Sequence, residues 1–187
     1  RMLAEEIKKY TNKQLAALAE ELRREIVEKV KDCGGHLSSN LGAVELTVAL
    51  HRVFDFPHDK IVFDVGHQCY AHKLLSGRAG AFGTLRQEGG LSGFPKRSES
   101  EYDCYGTGHA GTAVSAALGF AKARDLKGEK GAVIALVGDG SFNNGLIYEA
   151  LNSLKILNTH VLIILNDNGM SISETVGSMA AVLKEVR

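Results

Sequence analysis

Two short polar runs in the second half of the chain have residue types that could bind a metal ion and a phosphate. Gly138-Asp139-Gly140 and Asn166-Asp167-Asn168 each follow an apolar segment. Mg²⁺ prefers oxygen ligands and commonly shares its coordination sphere with a phosphate. Asp139 and Asn168 can supply two oxygens, and glycine lets the backbone approach a diphosphate closely. Ordinary strand-to-loop turns explain either run alone better than they explain the pair, so the pair predicts a magnesium–diphosphate site.

The elements that must position these residues alternate between helices and strands. Apolar spacing predicts helices at 11–31, 41–53, 111–126 and 145–157, a further amphipathic segment at 179–186, and strands at 61–65, 133–137 and 161–165. This alternation predicts an α/β fold, with a mostly parallel sheet flanked by helices on both faces. Ligands of such sheets bind beyond the carboxyl ends of the strands. His67, Asp139 and Asn168 are expected there.

Composition narrows the classes of protein. The 187 residues suffice for a single domain with its own core, and equal numbers of basic and acidic residues give a formal net charge of zero. Charge therefore favours neither nucleic acid nor an anionic membrane as a partner. No apolar run reaches the roughly 20 residues that span a bilayer.

Three scattered cysteines predict reduced thiols and a cytoplasmic protein. The chain starts with Arg1 and stops inside a helical pattern, from which we expect a fragment or one piece of a cleaved polypeptide.

Histidines are candidates for proton transfer. His36, His67 and His109 each lie beside a glycine at the end of a predicted element, a placement typical of active-site loops. Histidine titrates near neutral pH and can move protons at a carbonyl or hydroxyl group. His51, His58 and His160 lack such a placement and are interpreted as structural or surface residues.

A long glycine-rich segment at 77–111 has little periodicity, and loops of this length are usually functional. It ends in a run at 106–111 that matches GxGxxG but lacks a preceding buried strand and a well-placed acidic residue, so a dinucleotide site is not favoured. A glycine turn that opens a helix can still present free N–H groups to an anion.

The basic residues around this segment either form a solvated surface or include one or two that bind a substrate phosphate. They are Lys73, Arg78, Arg86, Lys96 and Arg97.

Several segments together resemble one family of thiamine-diphosphate enzymes. They are 35–42 (GHLSSNLG), 64–68 (DVGHQ) with His72-Lys73, 86–91 (RQEGGL), 98–103 (SESEYD), Gly108-His109, and 138–140 with 166–173. The combination resembles the N-terminal, diphosphate-binding domain of 1-deoxy-D-xylulose-5-phosphate synthases. The 64–68 and 98–103 segments distinguish this family from transketolases, which share the general diphosphate signature.

The resemblance implies a set of site residues. Mg²⁺ would be coordinated by Asp139, Asn168 and the main-chain carbonyl of Met170. The cofactor would contact the segment Gly108, His109 and Ala110, together with Gly140, Ser141, Asn168 and His67. His36 and His67 would be the catalytic histidines that face the substrate. Ala110-Gly111 and Asn143-Asn144 depart from the small or hydroxyl residues expected at those positions, which puts the polarity around the diphosphate in doubt.

The resemblance also implies a reaction and its partners. Pyruvate and D-glyceraldehyde 3-phosphate would condense to 1-deoxy-D-xylulose 5-phosphate with release of CO₂. The product would be a precursor of isoprenoids, thiamine and pyridoxal. The enzyme would be a cytoplasmic homodimer that uses thiamine diphosphate and Mg²⁺. The glutamate that such enzymes place against the aminopyrimidine ring lies in a second domain, so we expect this chain alone to be inactive without the pyrimidine-binding and C-terminal domains. The alternatives are a split transketolase-like subunit and a non-catalytic cofactor-binding module.

Overall fold

The computed structural model describes residues 5–168 and 176–186. The chain forms two compact units. The first contains the chain up to Asp59 together with Gly66–Gly106, and the second contains Lys60–Val65 together with the chain from Thr107 onward.

Helices dominate the first unit, and its longest helix carries a capping box. The helices are α1 (Asn12–Cys33), α2 (Ser38–Leu41), α3 (Val44–Val53) and α4 (Tyr70–Lys73), with 3₁₀ turns at Ile7–Lys9 and Ala79–Thr84 and a wide turn at Leu74–Arg78. At the start of α1, Thr11 and Gln14 satisfy each other's backbone N–H groups. The helix ends at Gly34, whose φ of +74° favours glycine.

The core of the first unit forms where α1 packs against α3. The buried face of α1 repeats every four residues through Leu18, Leu22, Ile26 and Val30. The apolar spacing within 11–31 predicts these four positions and also Leu15, which is only half-buried. Each fully buried side chain of this kind contributes about 1.5–3 kcal/mol on burial. The predicted helix at 41–53 is divided into α2 and α3 by a turn at Gly42-Ala43.

The second unit is built on a three-stranded parallel sheet. Its strands are β1 (Lys60–Phe63), β2 (Val133–Gly138) and β3 (Leu162–Asn166), in the order β1-β2-β3. Its helices are α5 (Ala113–Leu126), α6 (Asp139–Phe142), α7 (Gly145–Leu157) and α8 (Ser178–Val186). Central strand β2 is apolar and buried at 133–137, as expected for a parallel strand covered by other elements.

The second unit confirms the predicted α/β class with a parallel sheet. Helix α5 packs on β1 and β2 and also contacts α7. Helix α7 has the bounds predicted from the sequence, whereas the predicted strands shift by one or two residues at their ends. In the described part of the chain, no helix is long and apolar enough to cross a membrane.

Cys69 in the first unit is fully buried, and burial raises the pKa of its thiol to about 12. It therefore remains protonated at neutral pH and is a poor nucleophile. None of the three cysteines, all of which lie in the described part of the chain, forms a disulfide.

Candidate functional site

The loops that follow β2 and β3 carry the predicted metal ligands. Gly138 pairs with Asn166 at the carboxyl ends of these two parallel strands. Asp139 comes directly after Gly138, and Asn168 lies two residues beyond Asn166 with an exposed side chain. The structure therefore places Asp139 and Asn168 at one edge of the sheet, as predicted. Met170 lies outside the described residues.

The carboxylate of Asp139 has the environment expected of a metal ligand. Asp139 is only 6% exposed, and its buried Oδ2 has no hydrogen-bond partner among the described residues. A buried carboxylate oxygen left without a partner is costly, because it loses water and gains nothing in return. A bound cation would remove that cost, so the side chain fits Mg²⁺.

Residues near Asp139 determine the kind of cation that could bind. Among the described residues, no group of three or more His, Cys, Asp or Glu side chains could hold a metal. Mg²⁺ commonly combines one or two carboxylates with water and phosphate oxygens, so the buried carboxylate of Asp139 suits this cation. Gly140 is exposed and Ser141 is half-buried, and both lie in α6 directly after Asp139.

The glycine turn before α5 was predicted to present free backbone N–H groups to an anion, but two of these groups are already bonded within the protein. The backbone N–H groups of Gly111 and Ala113 donate to the two oxygens of the buried Asp64 carboxylate, at 2.8 and 3.0 Å. That carboxylate therefore occupies the start of α5, where an anion was predicted to bind. The other predicted cofactor contacts of this turn are Gly108 and His109, which are exposed, and Ala110, which is half-buried.

Asn144 links this turn to the Asp139 loop. Its Nδ2 donates to the carbonyl of Ala110 at 3.3 Å, and its Oδ1 accepts from the N–H of Leu146 and caps α7. Gly111 has φ +86°, and a Cβ there would lie 2.7 Å from the Asn144 side chain. Asn144, one of the residues that depart from the expected pattern, thus has a structural role. The position of an asparagine directly before a predicted helix could have indicated that it caps α7.

The first unit brings the two predicted catalytic histidines together. The rings of His36 and His67 have centroids 5.9 Å apart, and the ring of Phe94 lies 5.6 Å from that of His36 on another side. The Nδ1 of His36 is buried without a hydrogen-bond partner in the described part of the chain. Burial and the charge of Arg86 lower the pKa of His36. The ring is therefore neutral at pH 7 and able to accept a proton.

Strained backbone precedes His67. Val65 has φ +56°, a conformation that a β-branched residue rarely adopts. Such strain persists only where the surrounding structure enforces it, and it is concentrated at functional sites. It supports a functional role for the neighbouring Gly66-His67 segment.

Two of the basic residues near the long loop are neither solvated nor free for a phosphate. Lys73, Arg78, Glu99 and Asp103 form a buried charge cluster, with side chains at most 10% exposed. Lys73 donates to Glu99 at 2.6 Å, and Arg78 donates to both oxygens of Asp103 at 2.6 and 2.8 Å. The solvated-surface alternative is therefore wrong for Lys73 and Arg78, whereas Arg86, Lys96 and Arg97 are exposed.

The buried charge cluster explains the family-specific segment at 98–103. Glu99 also accepts from the N–H of Ser92 at 2.6 Å, and Asp103 accepts from the N–H of Lys96 at 2.8 Å. The two carboxylates therefore hold the backbone of the long loop close to the buried side chains of Lys73 and Arg78. Burial alone would raise the pKa of Asp103, but hydrogen bonds from His72 and Arg78 outweigh it and hold the pKa well below its usual range.

Two buried histidines predict sensitivity of the first unit to acid. His51 Nε2 lies 2.9 Å from His72 Nδ1, and burial lowers the pKa of both rings. Unfolding lets them bind protons below about pH 6.5, so stability is full above that pH and falls as the pH drops. We expect a loss of at most about 1.4 kcal/mol per pH unit for each ring, measured by urea unfolding between pH 7.5 and 5.5. A His51→Gln variant with the same slope would contradict this.

Comparison with known proteins identifies the family. The family model described as 1-deoxy-D-xylulose-5-phosphate synthase matches residues 2–187. The chain belongs to this family. Proteins named 1-deoxy-D-xylulose-5-phosphate synthase from Dictyoglomus turgidum and Caldanaerobacter subterraneus are each 57% identical to it over 97% of its length. The corresponding protein of Geobacter metallireducens, named synthase 1, is 57% identical over 95%.

The chain spans less than a third of these synthases, 28–29% of their length. Solved structures confirm the fold. Two transketolase structures from Pichia stipitis superpose with TM-scores of 0.74 and 0.75 over 87% and 89% of the chain, at 20% identity, and the chain covers 28% and 29% of them. The family match agrees with the resemblance drawn from the 64–68 and 98–103 segments.

Proposed function

We propose that this chain is the part of a 1-deoxy-D-xylulose-5-phosphate synthase that binds the Mg²⁺ and diphosphate of thiamine diphosphate. The buried, unpartnered Oδ2 of Asp139, beside Asn168 at the sheet edge, carries the proposal. Asp139, Asn168 and the carbonyl of Met170 would hold Mg²⁺. Gly140, Ser141 and the Gly108-His109-Ala110 turn would face the cofactor.

The reaction we propose is condensation of pyruvate with D-glyceraldehyde 3-phosphate, with release of CO₂. Bound thiamine diphosphate would supply the carbanion stabilisation that this reaction needs. His36 and His67 would exchange protons with substrate oxygens. His36 suits this role because its pKa is lowered and its buried Nδ1 has no partner among the described residues.

The remaining length of the relatives supports a further proposal. Because the chain spans 29% of the Dictyoglomus synthase, we propose that pyrimidine-binding and C-terminal domains complete the enzyme and supply the glutamate for the aminopyrimidine ring. The complete enzyme would be a cytoplasmic homodimer. The three described cysteines form no disulfide, which supports a reducing compartment.

A paired assay tests the proposal. Residues 1–187 alone and the enzyme that joins them to the remaining domains are each supplied with thiamine diphosphate, Mg²⁺, pyruvate and D-glyceraldehyde 3-phosphate. We expect 1-deoxy-D-xylulose 5-phosphate from the joined enzyme and none from the chain alone. Activity only with a ketose phosphate as donor would instead indicate a transketolase-like enzyme. If the joined enzyme forms product with neither pyruvate nor a ketose phosphate, the result would indicate a non-catalytic module.

A further inference from the structure

A single buried amide ties together the two segments that carry the candidate catalytic histidines. Asn40, in α2, is 1% exposed. Its Nδ2 donates to the main-chain carbonyl of His67 at 2.8 Å and also to the carbonyl of His36. Its Oδ1 accepts from the N–H of Tyr70, at the start of α4, at 2.9 Å. Three segments of the first unit therefore meet at one side chain.

The hydrogen-bonding capacity of the amide matches this task. A carboxamide has two N–H donors and one carbonyl acceptor, and Asn40 directs donors to both histidine carbonyls and its acceptor to Tyr70. An aspartate of the same shape would keep the acceptor but place an oxygen against two carbonyl oxygens. The contacts thus depend on the amide group rather than on size or burial.

We propose that Asn40 is the positioning residue that sets the spacing of His36 and His67. This inference rests on the proposed function, in which both histidines exchange protons with the substrate. By holding the two carbonyls, Asn40 holds the 5.9 Å separation of the rings without touching the substrate. Displacement of a catalytic group by about 1 Å can cost on the order of 100-fold in rate.

Asn40→Asp in the complete enzyme tests the proposal. We expect kcat to fall about 10- to 100-fold with KM for pyruvate changed less than about 3-fold, since orientation rather than binding is lost. Asn40→Ala, which removes the bonds without adding repulsion, is the second variant in case the aspartate variant does not fold. Thr47→Val is the matched control, because Thr47 is also 1% exposed and its hydroxyl donates to the carbonyl of Ala43, one turn earlier at the start of α3 and away from both histidines in sequence. Its kcat should change less than about 2-fold.

A double-mutant cycle separates positioning from general stability. In a His36→Ala background, Asn40→Asp should lower kcat by a much smaller factor than in the wild type, because the group it positions is absent. An equal factor in both backgrounds, or a wild-type kcat for Asn40→Asp, would overturn the proposal. An unchanged kcat for His36→Ala and His67→Ala alone would instead overturn the proposed role of the histidines and remove the ground for this inference.

Discussion

Replacing Asp139 with asparagine is expected to weaken Mg²⁺-dependent binding of thiamine diphosphate at least about 100-fold. Loss of residues that merely support a metal ligand costs about 10- to 100-fold, so loss of a ligand's charge should reach the upper end of that range. The substitution preserves shape, and the buried Oδ2 without a described partner predicts little loss of stability. Calorimetric titration of the complete enzyme with thiamine diphosphate at fixed Mg²⁺ measures the effect.

Asp125→Asn is the matched control for this titration. Asp125 lies in the same unit near the end of α5, where its carboxylate accepts hydrogen bonds from Arg124 and Thr159. Its cofactor affinity should remain unchanged. Equal affinities for the wild type and Asp139→Asn would contradict the assignment of Asp139 as a metal ligand.

Asp103→Asn is expected to destabilise the protein by about 3–5 kcal/mol, the usual effect of removing one partner of a buried ion pair. The side chain of Asp103 is fully buried, and Arg78 binds both of its oxygens. Its loss leaves two buried cations with Glu99 as the remaining carboxylate of the buried charge cluster. Urea unfolding at pH 7 measures the change, and hydrogen exchange of residues 92–103 reports whether the long loop opens.

A nearby exposed carboxylate provides the control for Asp103. Glu101→Gln removes the same charge two residues earlier on the exposed surface and should change stability by less than about 0.5 kcal/mol. Because the pKa of Asp103 is depressed, its contribution is present above about pH 4 and is lost as the pH falls below it. Equal effects of the two substitutions at pH 7 would contradict the ion-pair account.

Periodicity predicted the regular elements of this chain well. The apolar run that became β2 and the stripe of Leu18, Leu22, Ile26 and Val30 in α1 are buried, as their hydrophobicity predicts, whereas the equally apolar β3 is only partly buried. Because parallel strands place their carboxyl ends together, the order of elements also predicted that Asp139 and Asn168 share one edge of the sheet.

Buried polar contacts were not predictable in the same way. Lys73 and Arg78 were interpreted from residue type, which favours the surface, whereas their burial depends on carboxylates more than 20 residues later in the chain. Asp64, Asn40 and Asn144 were also missed as positioning residues because each bonds to backbone atoms distant in sequence. No periodicity reports such pairings.

A crystal structure of the complete enzyme with thiamine diphosphate and Mn²⁺ in place of Mg²⁺ tests the central claim most directly. The account predicts an anomalous peak for the metal about 2.0–2.2 Å from Oδ2 of Asp139, with Asn168 and the carbonyl of Met170 in the same shell and the diphosphate against Gly140 and Ser141. A bound cofactor whose metal lies on other residues, with the Asp139 carboxylate still unpaired, would contradict it.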